Sequence, residues 1–413
     1  MLDFFTSIDD FVWGPPLLVL LVGTGIYLTI RLGLLQIIRL PKAFKLIFAE
    51  DKGEGDISSF AALATALAAT IGTGNIVGVA TAIKTGGPGA LFWMWIAAFF
   101  GMATKYAEGL LAIKFRTLDD QGNVSGGPMY YITHGFSGKW QIIAKPLAYF
   151  FAFAGVLVAW LGIGTFSQVN SITSSLQNSF GWSPKIVSVI LALITAAIIF
   201  GGIQSISKVS EKVVPFMAGL YIIAALIVIF ANFNQLLPVL EMVFQSAFTG
   251  KAAVGGFAGA TVMAAMRLGI ARGVFSNESG LGSAPIAAAA AKTEEPVEQG
   301  LISMTGTFID TIIICTLTGL AILVTGQWSG SLEGAPMTQA AFSSIFGTFG
   351  ELALTLSLVL FAFTTVLGWS YYGERCFEFI FKSTKFLSFY RLIFVVMVAL
   401  GGYLTLEVVW KIA

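Results

Sequence analysis

The chain has 413 residues, 56% hydrophobic and only 11% charged, with a mean hydropathy of +0.86 and a net charge of +1. Soluble domains carry about 25% charged residues, so a water-facing globular surface is excluded, and the balanced charge removes the electrostatic case for a nucleic-acid partner. Cys315 and Cys376 both lie in apolar runs and His134 is the single histidine, which leaves no disulfide framework, no histidine-rich zinc site and little scope for triad chemistry.

A bilayer core about 30 Å thick takes roughly 20 apolar residues per helix. In chain order, apolar runs fall near 11–35, 60–84, 88–113, 142–178, 183–203, 210–232, 253–291, 297–326, 348–381 and 386–404. The expectation is an all-α polytopic membrane protein. The first run is no cleavable signal, because Asp3, Asp9 and Asp10 precede it instead of basic residues. The runs at 142–178 and 348–381 exceed one straight span, so their ends should tilt or project. If the N-terminus is outside and the runs alternate, 17 of the 23 Lys and Arg residues face the cytoplasm, as the positive-inside rule requires. Two outward stretches, 236–248 and 337–346, have apolar positions at helical spacing. They predict short amphipathic helices over an external vestibule, or plain interfacial helices.

Two runs carry residues that a continuous lipid-facing helix does not tolerate. The first holds Ile71, Gly72, Thr73, Gly74 and Asn75 near its middle. Glycine costs a helix interior about 1 kcal/mol relative to alanine; these glycines serve either close helix packing or an unwound segment that frees backbone groups for a polar solute and ions. The second, over 271–284, places Arg272, Asn277, Glu278 and Ser279 beside Gly280 and Gly282. Polar groups at that depth face a bundle interior or a cavity, although a re-entrant loop without solute contact also fits. Glycine-interrupted runs at corresponding positions of two halves point to inverted repeats. Five helices over 56–232 would match a second set over 253–413, with 1–55 as a leading helix and basic loop and 233–252 as an external connection.

These residues carry a resemblance. The run 66–116 (ALAATIGTGNIVGVATAIKTGGPGALFWMWIAAFFGMATKYAEGLLAIKFR), with GGPMYYI at 126–132, FSNESGLGSAPIAAAAAKT at 275–293 and FIDTIIICTLTGLAILVTG at 308–326, resembles the alanine or glycine:cation symporter family over nearly the whole chain. The resemblance implies sodium-coupled, sometimes proton-coupled, uptake of alanine and glycine. It also implies a LeuT-type fold of two inverted five-helix repeats, with discontinuous first and sixth core helices and one extra helix in front. A bacterial or archaeal plasma membrane is implied, with sodium as coupling ion; no cofactor and a monomeric chain are expected. Two departures accompany it. The stretch 287–291 is all alanine where family members carry a histidine. The last core helix would begin near Thr405 and reach only Ala413, so it is expected to be truncated.

By the same match, the backbones of Ala68 and Ile71, the Phe361 carbonyl and the hydroxyls of Thr364 and Thr365 form the sodium site; neutral oxygens suit a hard cation. Threonine pairs inside membrane helices also bond back to the preceding turn. Gly72, Thr73, Gly74 and Asn75 offer amides at a half-helix N-terminus, where a carboxylate is favoured. Carbonyls around Phe275 and Ser276 would take the ammonium, with Gln168 reaching the solute or bonding another helix. Phe275 and Trp369 would wall the pocket and limit side-chain size. Asp310 and Glu278 are candidates for a coupling carboxylate or proton relay; Asp310 also fits as a packing residue, and Glu278 as a clamp with Arg272. Lys105 and Glu108 are expected to form a local or interfacial pair near the cytoplasmic end of their helix, and Tyr130, Tyr131 and His134 to lie in a cytoplasmic loop. The expected function is symport and not an enzyme. A channel would also use broken helices and neutral oxygens, but the two breaks are dissimilar. An intramembrane enzyme lacks a nucleophile–base pair.

Overall fold

The computed structural model describes residues 14–249 and 262–403. Lipid offers no partner to backbone amides and carbonyls, so the spanning segments must satisfy them internally as helices. α1 (Pro15–Arg31) begins on prolines, which are suited to a first turn where amides have no acceptor. The short α2 (Leu40–Ile47) buries Ala43 and Ile47. α3 (Ser59–Thr70) is capped by the Ser58 hydroxyl, which accepts from the Ala61 amide at 2.9 Å. It breaks after Thr70 and resumes through a π-helical turn at Gly74–Gly78 into α4 (Val79–Gly86), with a bend of 52°.

α5 (Gly89–Lys114) is followed by a small hairpin of β1 (Thr117–Leu118) and β2 (Val124–Ser125), which pairs Thr117 with Ser125. α6 (Pro128–Gly135) then carries Tyr130, Tyr131 and His134. These three therefore sit on a helix and not in an irregular loop, because Pro128 starts a helical turn behind Gly127. α7 (Gln141–Leu161) and α8 (Phe166–Phe180) are one long run interrupted at 162–165, and α9 (Pro184–Ile199), α10 (Gly202–Ala231) and α11 (Phe233–Thr249) follow. α12 (Val262–Asn277) ends at the second break, and α13 (Ala284–Ala288) resumes beyond it. α14 (Pro296–Thr307) widens into a π-helical stretch at Phe308–Cys315 and continues as α15 (Thr316–Val324). α16 (Gly334–Phe346), the 34-residue α17 (Thr348–Phe381) and α18 (Leu387–Gly401) complete the described chain. α17 is about 51 Å long, well beyond a bilayer core, so it tilts or projects as its length requires.

Among the described residues six helices are long and apolar enough to cross a membrane, or seven with the bent α3–α4 pair counted as one span. The ten apolar runs outnumber them because α1 and α9 are shorter apolar helices and the 253–291 run is cut by its own polar break. The starts of the 11–35 and 253–291 runs, the end of the 386–404 run and the expected helix from Thr405 lie outside the described residues. The stretches 236–248 and 337–346 are helical, within α11 and α16.

Two groups of helices organise the interior. α5 is the hub of one, packed along α12 and α14 and against α1 and α11. α17 is the hub of the other, packed on α7 and α8, while α9 packs on α18. The alanine-rich α3 touches both groups, through α14 and α13 on one side and α17 and α10 on the other. Small side chains permit that closeness.

Candidate functional site

The first break is shaped by one side chain. Asn75 Oδ1 accepts from the Gly72 amide at 2.9 Å, and the Asn75 amide donates to the Gly72 carbonyl at 3.3 Å. In a continuous helix those two amides would have gone to the carbonyls of Ala68 and Ile71, four residues earlier. Both carbonyls are thereby released from the ladder. The Thr365 hydroxyl on α17 stands 3.2 Å from the Ala68 oxygen, 3.5 Å from the Ile71 oxygen and 3.0 Å from the Phe361 oxygen. One hydroxyl proton cannot satisfy three carbonyls, so this is a cluster with surplus acceptors of the kind a small hard cation needs.

Thr364 is different. Its hydroxyl bonds back to Leu360 and Phe361, both at 3.0 Å, and touches Met217 Sδ at 3.6 Å. It shares the Phe361 carbonyl with Thr365 but makes no hydrogen bond to Ala68 or Ile71. Gly72 cannot be enlarged here, because a Cβ on it would stand 2.5 Å from Thr365 Oγ1.

Beside this cluster, Gln168 Oε1 and Thr73 Oγ1 are buried without hydrogen-bond partners. Gln168 Oε1 lies 3.5 Å from where a Gly72 Cβ would be, so α8 aims it at the break. A Cβ on Gly74 would meet Ser276 Cα at 3.2 Å and the Phe275 ring at 3.5 Å. The two breaks therefore touch, and Gly72, Thr73, Gly74, Asn75, Gln168, Phe275 and Ser276 share one locality. Two expectations change. The Gly72 amide is engaged by Asn75 and is not a free donor, and Asn75 acts through its side chain. Phe275 and Ser276 belong to the last turn of α12, whose carbonyls are helix-end acceptors, and not to an unwound segment.

Asp310 ties the breaks together from the π-helical stretch of the α14–α15 span. Its carboxylate accepts from Asn75 Nδ2 at 2.7 Å, Ser276 Oγ at 2.9 Å and Thr311 Oγ1 at 2.7 Å. Three donors satisfy a fully buried charge. Asn75 and Asp310 both lie in π-helical turns, a geometry frequent at functional sites, and no spacing rule in the sequence announces it.

At the second break Glu278 has a φ of +56°, with Gly280 at +86° and Gly282 at +77°. Glu278 accepts from the Trp369 indole at 3.1 Å and from the Ser283 hydroxyl, so its partners are these and not Arg272, whose guanidinium lies over the Phe275 ring at 5.7 Å. Trp369 is thus bound to the second break from α17. Lys105 and Glu108 are not an interfacial pair: both are buried, at 3% and 7% exposure. Lys105 Nζ donates to the Asn277 carbonyl at 2.9 Å and Glu108 Oε1 accepts from the Gly282 amide at 3.0 Å. The extensive α5–α12 packing that carries them inward is not visible in local hydropathy.

On the side of the α3 N-terminus, Arg116 donates to the carbonyls of Glu54, Ala289, Ala291 and Thr293, and Arg375 pairs with Asp119, Glu374 and Glu378. Tyr130 packs edge-on to Phe379, and His134 is exposed. Among the described residues no group of three or more His, Cys, Asp or Glu side chains could hold a metal ion.

The sequence model of the sodium:alanine symporter family matches residues 1–413. The chain belongs to that family. A sodium/alanine symporter, AgcS, of Methanococcus maripaludis is 51% identical over 416 residues, covering 98% of this chain and 89% of that protein. A probable sodium/glutamine symporter, GlnT, of Bacillus subtilis is 39% identical over 410 residues, covering 98% of this chain and 83% of its own. The manganese transporter of Eremococcus coleocola superposes with a TM-score of 0.54 over 85% of this chain and 73% of that one, at 12% identity, a likeness of fold alone. Members of the sodium:alanine symporter family named here are transporters, and the apolar helices make this one a multi-pass membrane protein.

Proposed function

We propose that this symporter-family chain takes up small neutral amino acids, alanine and glycine first, driven by inward sodium flow and alternating access. The observation that carries the reading is the touching pair of breaks, where acceptors freed by Asn75 gather at Thr365 next to the unpartnered Gln168 and Thr73 oxygens. Sodium is held at Thr365 by the carbonyls of Ala68, Ile71 and Phe361, with Thr364 lending its hydroxyl on binding.

The amino acid lies between the breaks. Its carboxylate faces the amides of Thr73 and Gly74, at the positive end of the half-helix leading into α4. Its ammonium faces the last carbonyls of α12, at Phe275 and Ser276, the negative end of that helix. Gln168 completes the polar contacts. Phe275 limits the side chain to little more than a methyl, with Trp369 holding the far wall. Two five-helix repeats of opposite orientation, each opening with a broken helix, make this a LeuT-type arrangement with the N-terminus outside in a plasma membrane. α3, which touches both helix groups, is placed to sense sodium and solute together.

The test is accumulation of labelled alanine by proteoliposomes holding the purified protein. Saturable uptake driven by an inward sodium gradient, and lost when potassium replaces sodium, is the expected result. Uptake that follows a proton gradient with sodium absent would replace sodium by protons as the coupling ion, and unsaturable conductance would make it a channel.

A further inference from the structure

Lys105 and Glu108 do something that neither membrane insertion nor generic packing requires. They are three residues apart on α5 and therefore share a helix face. A buried ammonium or carboxylate is costly unless hydrogen bonds satisfy it. Here the bonds go to opposite sides of the second break. Lys105 Nζ holds the Asn277 carbonyl, at the C-terminal end of α12 where the helix dipole is negative. Glu108 Oε1 holds the Gly282 amide, where the chain turns back into α13.

From the first anchor to the second the backbone takes three positive-φ residues, Glu278 and Gly280 between them and Gly282 at the second anchor itself. The left-handed region is unfavourable for a non-glycine side chain such as that of Glu278, so the turn needs outside support, and α5 supplies it at both ends. Lys105 also takes the carbonyl of Asn277 and no other helix-end carbonyl, leaving those of Phe275 and Ser276 unoccupied by the cation. A small cavity of about 20 Å³ adjoins the pair, bordered by Thr70, Asn277, Gln299 and Ser303. Glu108 Oε2 and Gln299 Oε1 are buried there without protein partners, and the space fits about one water.

We propose that Lys105 and Glu108 are positioning residues that clamp the two sides of the second break and so keep the Phe275 and Ser276 carbonyls presented to the ammonium group of the amino acid. This rests on the symport reading above. The clamp acts on the amino-acid half of the site, whereas the sodium cluster is built from α3 and α17.

The experiment measures uptake kinetics in proteoliposomes for Lys105→Met, Lys105→Arg and Glu108→Gln, varying alanine at saturating sodium and sodium at saturating alanine. Losing a charge-assisted bond to a buried carbonyl should raise the alanine KM about tenfold or more in Lys105→Met, while sodium half-saturation moves less than about twofold on the same reasoning. Lys105→Arg, which still donates to Asn277, should recover most of the affinity, and Glu108→Gln, which keeps an acceptor for Gly282 but removes the negative charge one turn from Lys105, should fall between. An unchanged alanine KM, a parallel rise in both constants, or an Arg variant no better than Met overturns the clamp. If Lys105→Met fails to fold, the isosteric Glu108→Gln reads the same split, with alanine-dependent thermal stabilisation of the purified protein as a second measure. Failure of the unmodified protein to take up alanine on a sodium gradient rejects the symport reading itself.

Discussion

Asn75 donates to Asp310 at 2.7 Å while its own oxygen holds the Gly72 amide at 2.9 Å. A single side chain thus both opens the first helix and fastens it to the π-helical turn opposite. Asn75→Ala returns the Gly72 amide to the Ala68 carbonyl and removes a donor from a buried carboxylate. Sodium-driven alanine uptake should fall at least about tenfold, since bonds to charged groups contribute about 1.5–3 kcal/mol. Asp310→Asn should fall in the same range, and initial rates under a fixed sodium gradient measure both.

Thr364 and Thr365 are adjacent, yet the geometry separates them. Thr365→Val removes the hydroxyl that meets the Ala68, Ile71 and Phe361 carbonyls and should weaken sodium activation severely. Thr364→Val removes one that bonds back to its own helix and should weaken it less. The sodium concentration for half-maximal uptake ranks them, and a Thr365→Val protein with unaltered sodium dependence would remove Thr365 from the ion site.

The glycines of the first break report on the two halves of the site. In Gly72→Ala the new methyl meets Thr365 Oγ1 at 2.5 Å, so sodium affinity should drop first. In Gly74→Ala it meets the Ser276 backbone at 3.2 Å, pushing the breaks apart, so alanine affinity should drop first. Paired sodium and alanine titrations distinguish these outcomes.

Trp369→Phe leaves a Glu278 oxygen without its indole donor. An unsatisfied buried acceptor costs about 1–3 kcal/mol, so the variant should unfold at a lower temperature in detergent. Adding Glu278→Gln, which replaces the under-satisfied carboxyl with a neutral amide, should recover part of the loss.

Asp56, in the loop before α3, accepts from the Val124 amide at 3.0 Å. Burial lifts its carboxyl above the ordinary 3.8, against the pull of the Val124 amide and of Arg375 and Arg116. A raised folded value means that protonation favours the folded state. The stabilisation is complete below 3.8 and is lost as pH rises through the folded value. The melting temperature of the unmodified protein relative to Asp56→Asn should therefore decline as pH rises above 3.8 and level off once the folded carboxyl is ionised.

Hydropathy alone marked the chain as a helical membrane protein, because lipid imposes a length and a composition on any helix that crosses it, but its ten runs outnumber the six or seven long apolar helices of the described residues. Gly72, Gly74, Gly280 and Gly282 marked both breaks for a local reason, since glycine is poor in a helix interior and permissive in a left-handed turn. Thr365 could be named as a candidate from the resemblance, and Gln168, Phe275 and Ser276 from their polarity or their place beside the breaks. Their partners could not. Asn75 meets Asp310 across 235 positions and Lys105 meets Asn277 across 172, and no periodicity within either segment encodes such a pairing. Which amide Asn75 captures, which threonine faces the freed carbonyls, and the inward turn of Lys105 and Glu108 depend on how α5, α12, α14 and α17 rotate against one another. Composition set the apolar, helical character of the chain, whereas packing chose which sides of its helices face one another.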